Sequence, residues 1–553
     1  MKSLLSFLLA SCTLASLHGD DSQLAPIELS RLKVENLSTP TVTGMSPRFS
    51  WVLASGERGQ RQTAYQIQMA GSEDALKAEK GLLWDSKKVE SPNSHLVEVN
   101  VPKLPLNSDI YWRVKIWNHQ DQPTEWSEPT HFKVNPKATL DESYADYEPA
   151  ILSSFECSDP ALNELFAKSR QARQEHLGDI SSGAIQQLCA RSFAFDAHVG
   201  PLYEKWLATL DEAQTEEKLY PAFLPSRNDE PEYAPIYSDA AVIVPFALWQ
   251  MTGDDHYFRG RFENLVEYGM KRRDLDPDFN GKAFGTALHD KSDAISHELL
   301  SLTSFALDCR ILGEMATAIP HPPYILQHNA WFDRVSKGFK RNFLTEENKL
   351  KDPTQTSRIL ALRYGVVPPE AKLPMAQRLG EQIAKEGLQT GPIGTSAVLP
   401  VLTWTGQEDK ALQLVRGFAK ESEADLVTLA ASSEWMMSFA AGLNHQAAGF
   451  RASYLAPYFP AEDSQLTWVK AHHDTPYGRL SIHWKRHEDG KLEAEVAIPC
   501  NTNAIISLPA GEDATILESG KPVNESFGAR IMRHANGRQE IIAQPGTYTF
   551  EVK

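Results

Sequence analysis

Ile180 to Gly200 reads Ile-Ser-Ser-Gly-Ala-Ile-Gln-Gln-Leu-Cys-Ala-Arg-Ser-Phe-Ala-Phe-Asp-Ala-His-Val-Gly. It opens a helical pattern over about residues 195–216, and Tyr237-Ser238-Asp239-Ala240-Ala241-Val242-Ile243-Val244-Pro245-Phe246 opens another over 238–252 in the same way. Upstream, Ser158-Asp159-Pro160 supplies an N-cap with proline at the first helical position, and Leu162, Leu165 and Phe166 supply a buried stripe. Downstream, the spacing predicts helices over 254–273, 293–318, 323–344, 354–366, 368–387, 393–405, 407–420, 428–440 and 444–457, twelve in all. In the one over 368–387, Met375, Leu379 and Ile383 recur at every fourth position, and Gly387 stands where a C-terminal cap wants positive φ. Short links such as Thr252-Gly253-Asp254 and Thr405-Gly406-Gln407 join the helices into hairpins. Periodicity alone allows either a closed ring of six hairpins or an open helical solenoid.

The flanks change period. Between Leu32 and Val134, Tyr65, Ile67 and Met69 alternate with Gln66 and Gln68, and Trp112, Val114 and Ile116 alternate with Arg113 and Lys115. Such alternation puts apolar side chains on one face of a half-buried strand. About seven short strands in this span fit a fibronectin type III-like β-sandwich over 26–135. Residues 136–150, with Pro136, Pro149 and several acids, read as a linker where limited proteolysis should cut first. The helical block then fills 151–460. After it alternation returns in Leu480, Ile482 and Trp484 and in Leu492, Ala494, Val496 and Ile498, giving a C-terminal β-sandwich over 461–553 whose role is to cover one side or end of the helical block.

A net charge of −17 argues against nucleic acid or an anionic membrane as partner, since like charges repel. A neutral carbohydrate is compatible with it. Residues 1–22 look like an export signal, one lysine followed by a short apolar run, and no later segment is apolar enough to span a membrane. Leu9-Ala10-Ser11-Cys12 resembles a lipobox, so lipidation at Cys12 competes with release as a soluble exported protein. Cys157, Cys189, Cys309 and Cys500 are scattered without C-x-x-C spacing. That spacing argues against a structural zinc, and leaves one disulfide or buried free thiols open.

Several wordings are more specific than the periodicity. Pro47-Arg48-Phe49-Ser50-Trp51, Trp84-Asp85-Ser86, Tyr111-Trp112-Arg113-Val114 and Trp126-Ser127 resemble, in order, the N-terminal module of the bacterial α-L-rhamnosidases, glycoside hydrolase family 78. The 180–200 and 237–246 stretches resemble two active-site segments of the same family, and Val496-Ala497-Ile498-Pro499-Cys500-Asn501 its C-terminal sandwich. The resemblance implies an (α/α)6 barrel and an inverting hydrolysis of α-L-rhamnosyl or related sugars without metal or cofactor. It also places the catalytic groups in loops at one barrel mouth, several of them preceding inner helices.

The motif acids are degenerate. In the first segment only Gln186, Phe193 and Asp196-Ala197 line up, the leading Asp falling on Gly183 and the Asp-Glu pair on Leu188 and Cys189. The family's Gly-Asp-Trp-Leu falls on Gly285-Thr286-Ala287-Leu288, with His289, Asp290 and Asp293 nearby to compensate. Ala431-Ser432-Ser433-Glu434-Trp435-Met436 puts Met436 where the base belongs, and a shift of two residues makes Glu434 that base. The candidate general acids are Asp196, Asp229, Glu230 and Asp239, while Asp196 and Asp239 read equally well as helix-capping acids. Phe193, Tyr237, Trp435, His445, Asp229 and Asp239 are the candidate sugar contacts. The competing reading is a sugar-binding relative that has lost catalysis.

Overall fold

In a computed structural model, residues 24–42, 46–101, 103–144, 147–177, 183–227, 229–287, 292–460 and 465–553 are described. The export signal, Cys12, Leu288, His289 and Asp290 lie outside the described residues. Twelve helices carry the central block: α1 (Pro160–His176), α2 (Gly183–Asp196), α3 (Gly200–Glu212), α4 (Ala240–Thr252), α5 (Phe262–Leu275), α6 (His297–Ala318), α7 (Pro322–Phe343), α8 (Gln355–Tyr364), α9 (Pro369–Glu386), α10 (Pro392–Trp404), α11 (Glu408–Ala419) and α12 (Leu426–Trp435). The even-numbered helices touch one another in sequence and α12 returns to α2, so the ring is closed. An open solenoid would leave α2 and α12 apart.

Burial explains which helix takes which layer. In α4 and α10 most residues are buried, on all sides of the helix, including Ala240, Ala241, Gly394 and Ala397, whose small side chains let inner helices crowd together. In α9 only one stripe, with Met375, Leu379 and Ile383, is buried, as an outer helix requires. Asp159 caps α1 through the Ala161 amide, and Gly387 ends α9 at φ 72°.

Two boundaries differ from the sequence reading. The segment 183–196 is itself the first inner helix, and a second helix begins at Gly200, so the helix expected over 195–216 is a break followed by an outer helix. Residues 444–457 form no α-helix, only one 3-10 turn at Ala448–Phe450. They form strands Leu443–His445 and Ala452–Leu455, which join Asn503–Pro509, Arg538–Ala543 and Ala529–Ala535 in one sheet of the C-terminal sandwich. Gly442 and Gly449, both at positive φ, put tight turns where a helix would continue.

The second sheet of that sandwich takes its edge strand, Ser153–Cys157, from before the barrel, pairing it antiparallel with Trp468–Thr475. Leu480, Ile482 and Trp484 point inward as their alternation predicts, and the Trp484 indole donates to the Ala440 carbonyl at 2.8 Å, seating the sheet on the barrel end. The N-terminal sandwich closes around Phe49, Trp51 and Trp112, with Phe49 edge-on to Trp112 at 4.7 Å.

That first sandwich is clamped to the barrel. Arg48 donates to Asp254 at 2.5 and 3.0 Å and to Glu35 at 2.6 Å, and His95 Nε2 meets the Thr252 carbonyl at 2.8 Å. The linker is held as well: Tyr144 donates to Glu204 at 2.6 Å and Tyr147 contacts His198 Nδ1 at 2.6 Å. Among its described residues the linker is therefore anchored at Tyr144 and Tyr147. Wild-type protein is expected to resist cleavage in 136–150, and Arg48→Met, which leaves Asp254 buried without its counter-charge, is expected to open that site first. Timed limited proteolysis with mass mapping of the fragments checks both.

Candidate active site in the barrel lumen

Antiparallel hairpins joined by short links make the inner helices parallel, so all of them end at the same mouth. At that mouth lies a cavity of about 490 Å³. Each inner helix reaches it from its C-terminal half, through Arg191, Gln250, Glu314, Arg363, Trp404 and Glu434, so the cavity lies at the mouth opposite the loops that precede inner helices, where the resemblance placed the catalytic groups. A narrower extension of about 140 Å³ runs down the axis past Gln187, Ile243, Ser396 and Ala431. Tyr454, Tyr458 and Arg538 close the outer side, so the C-terminal sandwich supplies part of the wall as well as a cover.

The wall mixes aromatic faces with charges. Trp404 and Phe439 meet edge to face at 6.1 Å, and the Trp435 indole donates to Thr403 at 2.8 Å, fixing its ring beside Glu434. Glu434 is ion-paired with Arg191 and is about a fifth exposed. Glu314 is exposed to the cavity, and the partial desolvation of its carboxyl there pushes it up from its ordinary range, with the Arg310 charge pulling the other way. His445 is pushed down to about 3, first by burial and then by the Arg191 charge, so it stands neutral at the wall. A short π-helical stretch, Met436–Ala440, continues α12 and buries Met436 completely.

The structure gathers Glu434, Trp435 and His445 at this cavity. It does not bring the other candidates there. Asp196, at the end of α2, accepts from Ser153 at 2.7 Å, Arg170 at 2.8 Å and Arg173 at 2.8 Å. Burial raises its pKa, but the bond from Arg170 and the charges of Arg173 and Arg170 outweigh that and hold it below the carboxylate range. An acid so held is an ion-pair anchor between barrel and sandwich, not a proton donor. Phe193 is core.

Asp239 is fully buried in the wall behind α4. It pairs with Arg272 and accepts from the Tyr268 hydroxyl at 2.6 Å and the Ile236 amide at 2.8 Å, so no sugar hydroxyl reaches it. Asp229 and Glu230 are exposed on the loop before α4, at the opposite mouth, and Tyr237 packs on Phe223 there at 5.4 Å. Asp293 is a helix cap for α10, accepting from the Ile393 and Gly394 amides at 2.9 Å each.

Leu188 and Cys189, where the motif's acid pair falls, sit inside α2, and only residues 177–182 lie between α1 and α2.

Sequence reading missed Glu314, Arg310, Arg363 and Trp404. The usable signal was charge in the C-terminal half of the inner helices: Arg310 and Glu314 stand four apart in α6, both outside its buried face, and Arg363 stands near the end of α8.

The Asp239 cluster carries a prediction of its own. Asp308 lies beside Asp239 and is pushed well above the carboxylate range by burial and by that neighbouring charge, so it keeps its proton. A carboxyl with a raised native pKa stabilises fully below its unfolded pKa and loses that contribution as pH rises towards the native value. Asp308→Asn, a neutral mimic, is expected to melt at or above the wild-type temperature at pH 7 and to lose that advantage below about pH 4. Thermal melts across that pH range check it.

Three family models match the chain: the Rha78A-like N-terminal immunoglobulin domain over 29–136, the bacterial α-L-rhamnosidase six-hairpin glycosidase domain over 151–422, and the bacterial α-L-rhamnosidase C-terminal domain over 442–522. The chain belongs to the bacterial α-L-rhamnosidase family. Among curated members, an α-L-rhamnosidase of Formosa agariphila is 26% identical over 459 residues, 72% of this chain and 48% of that protein. One of Streptomyces avermitilis is 26% identical over 410 residues, 64% of this chain and 38% of that protein. The chain thus spans less than half the length of these α-L-rhamnosidases. The solved Streptomyces avermitilis α-L-rhamnosidase complexed with L-rhamnose superposes with a TM-score of 0.82 at 14% identity, over 95% of this chain and all of that one. The enzyme from Dictyoglumus thermophilum gives 0.81 at 13%, over 97% of this chain and all of that one. At such identities the likeness is one of fold, and it extends across barrel and both sandwiches.

Proposed function

We propose that this chain is an α-L-rhamnosidase-like glycoside hydrolase that binds its terminal sugar in the lumen cavity and cleaves by single displacement. The observation that carries it is a pair of carboxyl groups on opposite sides of one cavity. Glu314 comes from α6 and Glu434 from α12, three places apart in a ring of six helices, so they face each other across the lumen. An inverting glycosidase needs a protonated acid at the leaving oxygen and a carboxylate that activates water on the far side. Glu314, its carboxyl raised by partial desolvation at the cavity, suits the acid, and Glu434, held in place by Arg191, suits the base. Trp404 and Phe439 offer the apolar faces that a sugar ring packs against.

A second reading rests on Glu434 itself: its ion pair with Arg191 could leave it a structural partner and the cavity a binding site only. Incubation with an aryl α-L-rhamnoside, followed by proton NMR of the first-formed anomer, separates the two. Release of the β-anomer supports the hydrolase. Sugar binding without turnover removes it and leaves a binding protein.

A further inference from the structure

The charges of the cavity do not cancel. Arg191 is paired with Glu434. Arg538 is held by the Ser507 hydroxyl at 2.9 Å and by the Ser507 and Pro457 carbonyls at 2.6 and 3.0 Å. Arg310 has Glu314 one helical turn away on the same helix. Arg363 is left over. Its guanidinium lies 4.7 Å from the Trp404 ring centroid and forms no hydrogen bond or ion pair with a described residue. Trp404 is itself 55% exposed, so cation and indole together face the cavity.

A half-buried guanidinium without a counter-ion in contact is costly for the fold, and it does not escape the cost by losing its proton. Burial lowers its pKa, the nearby Glu434 charge raises it, and Arg191 and Arg310 lower it again. Arg191, Arg310, Arg363 and Arg538 thus line the cavity against Glu314, Glu408 and Glu434, four cations to three carboxyls. Such a site gains most from an oxyanion, which a guanidinium takes in a two-pronged hydrogen bond. The aromatic surface alongside adds a preference for a ring that carries the anion.

We propose that the cavity takes an acidic sugar, a hexose unit bearing a carboxylate or a sulfate ester, with Arg363 binding the anionic group, Arg310 as the second cation and Trp404 under the ring. This rests on the cavity being the sugar site of the proposed function and names the class of glycoside it accepts: one in which an acidic unit stands beside the cleaved bond. The chain as a whole is acidic, so the cationic wall is a local feature against the overall charge.

The test is isothermal calorimetry of the full chain at about 50 mM salt with a matched set: D-glucose, sodium D-glucuronate and D-glucose 6-sulfate. The acidic sugars are expected to bind about tenfold or more tighter than glucose, and to lose that margin as salt rises. The order of glucuronate and sulfate tells which anion the wall prefers. In Arg363→Met the margin is expected to fall to near unity, with Arg363→Lys in between, since lysine keeps the charge but not the fork. Equal binding of all three sugars to wild type overturns the proposal, as does a margin that survives in a folded Arg363→Met. Should that variant not fold, a wild-type margin insensitive to salt overturns it equally. An aryl α-L-rhamnoside that is not hydrolysed while the acidic margin persists removes the hydrolase reading alone.

Discussion

Glu434→Gln is expected to lower kcat on an aryl α-L-rhamnoside by about 10²-fold or more, with KM and melting temperature little changed. Glutamine keeps the shape and one hydrogen bond to Arg191, and only the ability to take a proton from water is lost. Glu314→Gln is expected to cost a similar factor for an alkyl leaving group and much less for a nitrophenyl one, because a stable leaving anion needs no proton. The two variants therefore fail differently, and that difference assigns acid and base. The pH profile adds a sign. The acid works while protonated, so activity falls as pH rises through the raised pKa of Glu314. Arg310 pulls that value down, so Arg310→Met should move the alkaline limb of kcat/KM to higher pH. Steady-state rates of the wild type and three variants from pH 4 to 9 decide it. Equal kcat in wild type and Glu434→Gln would leave the glutamate a wall residue.

The largest expected loss of stability comes from Arg272→Met. Arg272 is fully surrounded: it pairs with Asp239, reaches Asp308 at 3.4 Å, and donates to the Ser301 carbonyl and Ser304 hydroxyl at 3.1 and 3.2 Å. Its removal strands the Asp239 carboxylate in the barrel wall, a loss of about 3–5 kcal/mol. The native pKa of Asp239 is pushed up by burial and more strongly down by Arg272. Its stabilisation is therefore present above the unfolded carboxylate value near 3.9 and lost as pH falls through the lower native one. In Arg272→Met the sign reverses, and stability should improve on acidification as Asp239 protonates. Denaturant midpoints at pH 7 and pH 5 measure both effects. A variant as stable as wild type would mean that water reaches Asp239 and the cluster is not closed.

The helical period, the caps at Asp159 and Gly387 and the strand alternation around Trp112 and Trp484 are local quantities, and all were legible in the chain. So was the gathering of Glu434, Trp435 and His445, which are close in sequence. What was not legible depends on three-dimensional partners. Asp196 and Asp239 look the same in sequence whether they face a ligand or an arginine, and Arg170, Arg173 and Arg272 lie too far along the chain to be assigned to them by spacing. Glu314 and Arg363 became visible only when six helices were closed into one ring. The last helix was misread because apolar residues such as Leu443 and Leu455 serve a short sheet as well as a helix, and the turns at Gly442 and Gly449 decide between them.

The strand Ser153–Cys157 finds its partner in Trp468–Thr475, with Phe155 opposite Ala471 and the whole ring of hairpins between them. A growing chain therefore exposes this strand long before its mate has been made, and the second sandwich cannot be finished until the barrel has brought the two ends together. Synthesis order and folding order part company here: the ring must assemble while one sheet edge waits unpaired, the condition in which strands join foreign neighbours. A chain cut short before residue 468 should accumulate as aggregate even though every barrel helix has been translated.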